Sequence, residues 1–421
     1  FAYTAAFSPG GSFETLTGLP GTSVSGFWGS FAVLTLLTYP FVYLPAAARF
    51  RQLPSSLEES ARMLGRGPAS IVRHVIAPLA GPAVVAGGLL VFLYVASDFG
   101  AVALLRFDTV TVSVFSNRLI DSDLALAMAL LLALVALAAV AAERAIAGRS
   151  RIDTRRESSP TRLPLGRWRV PALLFASTLV GFALVAPLAV LAYWALRGLA
   201  NDTSRSGSIV SDPAELIGPT VSTSLVSVAA AVVAVVVVFP LAVHAARRAG
   251  AFSGAASAVV LSSFAIPGLV LALALVFWTL NSSLLVGVYQ TIPLLVGAYV
   301  LHFAGLALGT TRVAAGSVPP SLIEASRSLG MGRAQRALRF ELPLMLPGLL
   351  AGAGLVLLST MKELPVTLLL APPGFATLAT KVWAAATEAF WADASLASLV
   401  LVAASGLLTW LLVVRRRSAF A

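Results

Sequence analysis

The chain has 421 residues, of which 58% are hydrophobic and only 11% charged, and its mean hydropathy is +0.91. Soluble domains carry about 25% charged residues, so an ordinary water-soluble globular protein is excluded. The net charge of +11 is scattered over short segments between apolar runs, which excludes a nucleic-acid-binding face, and the absence of cysteine excludes disulfides and thiolate metal sites.

In chain order, nine apolar runs are long enough to cross a bilayer as helices: 27–48, 78–105, 124–142, 170–196, 219–243, 254–279, 287–312, 343–370 and 394–414. The expected fold is an all-α polytopic transmembrane bundle. Of the 27 arginines, 23 fall in segments 49–73, 143–169, 247–248, 312–339 and 415–417. These alternate along the spans, so by the positive-inside rule they are cytoplasmic, with residue 1 outside and residue 421 inside. Residues 143–169, basic and rich in Ser and Pro, read as a cytoplasmic linker. His74, His244 and His302 lack metal-site spacing and read as packed or interfacial residues, and no metal or cofactor is expected. Pro187, Pro240, Pro267 and Pro293 read as kinks or helix ends. The small residues within 81–88 and 348–354 read as close helix packing. Trp28, Trp194, Trp278, Trp383 and Trp391 fit an aromatic belt.

One stretch is written twice. Residues 54–105 and 319–370 align without gaps at an offset of 265, with 19 of 52 positions identical. The matches include Pro54/Pro319, Ser56/Ser321, Glu59/Glu324, Gly65/Gly330, Gly67/Gly332, Pro78/Pro343 and Pro82/Pro347. Ser56 and Ser321, each followed three residues on by Glu, predict a capping box. Gly65 and Gly330 predict a left-handed helix end. Leu57, Ala61 and Leu64, with Leu322, Ser326 and Leu329 in the second copy, fall near one face. Each copy is therefore a short helix needing a surface to pack on, and Pro78 and Pro343 mark the turn into the next span. Six spans separate the copies, so both face the cytoplasm as parallel repeats. Spans 27–48, 78–105 and 124–142 pair with 287–312, 343–370 and 394–414. The first half then lacks about 100 residues, enough for three spans. The expected organisation is a first half at 1–142 carrying its last three spans, the linker, and a six-span half at 170–421.

Glu59-Ser60-Ala61 with Gly65, and Glu324-Ala325-Ser326 with Gly330, resemble the "EAA" loop of bacterial ABC importer permeases. Ser60 and Ala77-Pro78 depart mildly from that pattern. The resemblance implies two permease domains on one chain, the first N-terminally truncated, in a multi-pass bacterial inner-membrane protein. It implies two copies of an ATP-binding subunit docked on these loops and an extracytoplasmic substrate-binding protein. Residues 97–115 and 360–383 narrow the resemblance to fused permeases of ferric-iron importers, with thiamine and phosphonate permeases as alternatives. The chain contains no phosphate-binding G-x-x-x-x-G-K-[ST] motif, no GxSxG and no HExxH, so ATP hydrolysis is expected on the partner. An ion-coupled secondary transporter would need charges deep in the spans, which most spans lack.

Asp98 and Glu363 occupy equivalent repeat positions, and carboxylates in hydrocarbon usually face a partner or an aqueous cavity. One reading places them at the outer mouth of a cation path. The other is structural: Asp98 caps a helix end and Glu363 pairs with Lys362.

Overall fold

The computed structural model describes residues 1–51, 55–148, 166–200, 209–248 and 250–411. Pro54, most of the linker (149–165), Arg205 and the arginines at 415–417 lie outside the described residues. All regular structure among the described residues is helical.

Two short helices, α1 (Ala2–Phe7) and α2 (Ser12–Thr17), precede the long α3 (Gly26–Arg51). The short α4 (Ser55–Met63) follows, then α5 (Pro68–Ile71), a π turn (Val72–Ile76) and α6 (Ala77–Ser97). α7 (Gly100–Leu104) and α8 (Val110–Asn117) lead to α9 (Ser122–Gly148). α10 (Arg169–Val180) continues through a second π turn (Gly181–Val185) into α11 (Ala186–Ala200). Then come α12 (Ile217–Arg247), α13 (Ala251–Ser263), α14 (Gly268–Leu280) and α15 (Ile292–Gly316). α16 (Pro320–Ser328), α17 (Arg333–Arg336), a third π turn (Ala337–Glu341) and α18 (Leu342–Met361) repeat the earlier series. α19 (Pro365–Leu370), α20 (Leu378–Thr387) and α21 (Trp391–Thr409) end it.

Among the described residues, eight continuous helices are long and apolar enough to cross a membrane, or nine if α13 and α14 form one broken span. Each of the nine expected runs corresponds to one of these. Three differ in detail. The runs 78–105 and 343–370 stop early, at Ser97 and Met361, because Asp98 and the Lys362-Glu363 pair interrupt the apolar sequence there. The run 254–279 is bent by 100° between α13 and α14, where Pro267 cannot continue a helix. The ends of the expected linker are helical, since α9 runs on to Gly148.

Pro78 and Pro343 do not turn the chain. The helix is continuous through both, from Ala69 to Ser97 and from Ala337 to Met361. Each of the three π turns ends two residues before a proline: Pro78, Pro187 and Pro343. A proline ring clashes with the carbonyl four residues back. The wider i→i+5 turn relieves that clash without breaking the helix.

The repeat extends through the fold. α4/α16, α5/α17 and the first and third π turns are each displaced by 265 residues, and α3/α15 end in register. Small residues let the paired helices approach closely. A side chain at Gly87 would sit 2.6 Å from the Phe41 carbonyl oxygen of α3, and its repeat mate Gly352 abuts Thr310 and Ala307 of α15. A side chain at Gly348 would meet the Ala314 methyl at 2.5 Å. Gly81 and Gly88, by contrast, face open space.

The largest core joins α12, α14, α15, α18 and α19, with Val226, Ala230, Ala234, Tyr299, Leu357 and Leu370 buried together. A second core joins the two repeats: Val114, Ala129 and Leu132 pack on Leu269, Val270 and Leu273 of α14. Leu173, Phe175 and Phe182 of the α10–α11 helix are exposed, as expected of surface presented to lipid.

Candidate functional site: paired contact helices and a carboxylate pair

The contact helices α4 and α16 are each nine residues long and built alike. Gly65 and Gly330 have φ of 75° and 73°, a left-handed conformation that only glycine adopts without strain. The Arg66 amide donates to the Ala61 carbonyl at 3.1 Å and the Gly65 amide to Arg62 at 2.9 Å. In the second copy Met331 donates to Ser326 at 3.2 Å and Gly330 to Arg327 at 2.9 Å. Both are Schellman ends, satisfying carbonyls that the helix leaves free.

The expected capping boxes are not formed as read. α16 takes Pro319 as its N-cap with no side-chain cap, and Ser321 lies inside the helix. Pro320, whose fixed φ suits the first turn and which has no N–H to satisfy, starts the helix one residue early. α4 likewise begins at Ser55, one residue before Ser56.

Ala61 and Ser326 are buried, on the inward side of each contact helix. Glu59, Ser60, Glu324 and Ala325 are exposed. Met63, Leu64 and Leu329 are 90%, 81% and 75% exposed, so large apolar side chains flank both helix ends without cover from the other described residues. Leu64 and Leu329 thus project away from the body, whereas Ala61 and Ser326 face it.

Asp98 and Glu363 stand where the two repeats meet. The Ala101 amide donates to Asp98 Oδ1 at 2.8 Å, and the Val366 amide approaches Glu363 Oε1 at 3.5 Å. These are the same i→i+3 positions in the repeat. Thr111 Oγ1 donates to the Asp98 carbonyl at 2.8 Å, and Thr367 Oγ1 to that of Glu363 at 2.7 Å. Both residues are of intermediate exposure, and Tyr94 lies near both. The segments after them reach across the repeats: Phe99 packs on Trp383 at 5.1 Å between ring centroids, and Gly100 abuts Leu364.

The structural reading therefore holds for the hydrogen bonds of Asp98. Lys362 instead points its ammonium toward the Tyr94 ring, 5.9 Å from the centroid. Glu363 Oε1 lies 2.6 Å from where a Gly268 side chain would begin, and His302 Nε2 lies 3.3 Å from the same point. His302 is ten residues into α15, about 15 Å along the helix, so Glu363 stands beside that part of α15. His302 is buried against Phe303, 4.4 Å away, as a packed histidine should be.

Several polar partners were not legible in the sequence. Gly268 makes room for Glu363 only because the α13–α14 bend brings it there. Tyr299 and Thr367 share a buried 2.6 Å hydrogen bond across 68 residues. Arg247, Arg336 and Glu341 form a bridged cluster at the cytoplasmic side of the expected topology. The third π turn places Arg336 and Glu341 together, and α12 supplies Arg247; no local motif signals either.

Many apolar spans, a duplicated helical series and two matched short helices define a polytopic helical membrane protein built on an internal repeat. The description of binding-protein-dependent transport system inner membrane components matches residues 13–152 and 238–416, well over half of the chain. The chain belongs to that family. It is similar to the Fe(3+)-transport system permease protein FbpB 2 of Haemophilus influenzae, 29% identical over 397 residues, covering 92% of this chain and 76% of that protein. The probable ABC transporter permease protein y4fN of Sinorhizobium fredii is 25% identical over 393 residues, covering 87% of this chain and 68% of its own. The putative 2-aminoethylphosphonate transport system permease protein PhnU of Salmonella typhimurium is 35% identical over 99 residues, 23% of this chain and 34% of its own. The family implies a substrate-binding protein and an ATPase as partners, and the chain is a multi-pass inner-membrane protein.

Proposed function

We propose that the chain is the permease subunit of an ATP-driven importer of ferric iron delivered by an extracytoplasmic binding protein. The observation that carries this reading is the similarity to an Fe(3+)-transport permease across 92% of the chain. The 2-aminoethylphosphonate alternative rests on 23% of it and ranks second.

In this reading the chain hydrolyses no ATP. Two ATPase copies dock, one on each contact helix, through the exposed Glu59 and Ser60 and the exposed Glu324 and Ala325, while the buried Ala61 and Ser326 and the helix-ending Gly65 and Gly330 set the shape of each docking helix. The exposed Met63, Leu64 and Leu329 supply apolar area to those contacts. The basic segments and residue 421 are cytoplasmic, and residue 1 is outside. Residues 1–142 and 170–421 act as the two permease halves, joined by 143–169. Asp98 and Glu363 flank the path between them, and hard carboxylate oxygens suit a ferric ion. The test is reconstitution of the permease with its ATPase and binding protein in proteoliposomes. Uptake of radiolabelled ferric iron that requires ATP supports the reading. ATP-dependent uptake of 2-aminoethylphosphonate and not of iron would overturn the substrate.

A further inference from the structure

The two contact loops are alike in backbone but not in how they are tied down. In the second copy, Glu341 closes the third π turn and its carboxylate is bridged on both oxygens. Arg336 Nε donates to Oε1 at 2.7 Å, and Arg247 Nη2 donates to Oε2 at 2.8 Å. Arg336 and Glu341 are buried, 9% and 8% exposed. Arg247 belongs to the last turn of α12, the helix that runs through the main core. The π turn makes the cluster possible. Residues five apart lie about 140° apart around an α-helix, but an i→i+5 turn stacks them on one side.

The first copy keeps the π turn and changes the chemistry. Ile71 and Ile76 stand at the positions of Arg336 and Glu341, and Ile71 is 3% exposed. The fold therefore accepts an apolar pair at this place. Burying Arg336 and Glu341 is not required to form the turn, and Arg247 itself is exposed; buried ion pairs are poor stabilisers relative to apolar replacements. What the charged version adds is a directed link from the contact loop to α12. A second contact runs the same way: Ile323 of the contact helix packs in one cluster with Val243 and Ala246 of α12 and with Met345 and Leu349 of α18.

We infer that Arg247, Glu341 and Arg336 clamp the π turn just beyond the second contact helix to the cytoplasmic end of α12, so that this segment and the contact helix, itself packed on α12 through Ile323, move with α12 as one body when the partner ATPase moves. These are positioning residues, and the inference rests on the proposed function for what drives the motion. The first contact helix has no such charged clamp among the described residues at Ile71 and Ile76.

The chain has no cysteine, so paired labels can be placed cleanly. Spin labels at Ser328→Cys, on the contact helix, and Arg248→Cys, beyond α12, report their separation by pulsed EPR. The assembled transporter in nanodiscs is measured with and without ATP. The expected result is one narrow distance distribution, unchanged by nucleotide. In the combined variant, Arg336→Ile and Glu341→Ile copy Ile71 and Ile76 of the first repeat, and Arg247→Met removes the cation that would lose its partner. The combined variant is expected to insert normally, to broaden the distribution, and to lower substrate moved per ATP hydrolysed about tenfold. Glu341→Gln should give a smaller change of the same kind. An equally narrow, nucleotide-independent distribution in the combined variant would overturn the clamp. A parent assembly with no ATP hydrolysis would count against the proposed function instead, while the label distances would still test the clamp.

Discussion

At Gly65 and Gly330 the left-handed backbone is needed at both copies, and both positions have open space beside them. A side chain there is strained by conformation and not by collision. Gly330→Ala is expected to weaken the helix end by about 1 kcal/mol, and Gly330→Asp to reduce ATPase docking without loss of membrane insertion. Co-purification of the ATPase subunit measures the first link and surface labelling the second. Normal docking in the double Gly65/Gly330 variant would remove the helix ends from the mechanism. Gly87 and Gly352 present the opposite case, since each meets the neighbouring helix directly. Gly352→Leu should destabilise the bundle by about 1–3 kcal/mol, read as a lower thermal transition in detergent, whereas Gly81→Leu should be nearly neutral. The glycines at the helix ends were legible because the motif fixes their role. Which of the helical glycines pack was not, because that depends on how two distant helices cross. Asp98→Asn and Glu363→Gln together should lower ferric uptake at matched expression, with Asp98→Asn also weakening the cap on α7. Unchanged uptake in the double variant would leave the pair with the structural role alone.

At the scale of elements, the spans were legible from apolar length, and the places where they stop were not. Asp98 and Glu363 each end one long helix and lie at the start of a short one, so a 28-residue apolar run became a helix, a break and a second helix. The capping boxes failed for a related reason. The Pro319-Pro320 step sets the start of α16 more firmly than the serine that follows. The π turns follow a rule visible in hindsight, a proline two residues beyond each, but a single sequence does not separate a π turn from a kink. Pro343→Ala removes the ring that favours the wide turn. It is expected to let residues 337–341 relax toward an α-helix and swing Arg336 away from Glu341. Disulfide trapping between cysteines placed at Leu338 and on the end of α12 reads that rotation. A trapping pattern identical to the parent would show that the π turn has another cause.

At the scale of the whole molecule, the duplicated series was the most legible feature, because an offset of 265 residues survives in prolines, glycines and helix bounds alike. The meeting of the repeats around Phe99, Trp383, Leu269 and Val114 was not, since apolar spans without a polar face give no indication of their neighbours. The central claim is that each repeat presents one docking helix to an ATPase subunit. It is tested most directly by placing single cysteines at Ser60 and at Ala325, both exposed, in a chain that has none of its own. Cross-linking is then followed in the assembled transporter. The expected result is that each cysteine captures one ATPase subunit and that the double variant captures two on one chain, with yields that change on ATP binding. Capture at neither position, or of a single ATPase by the double variant, would contradict it.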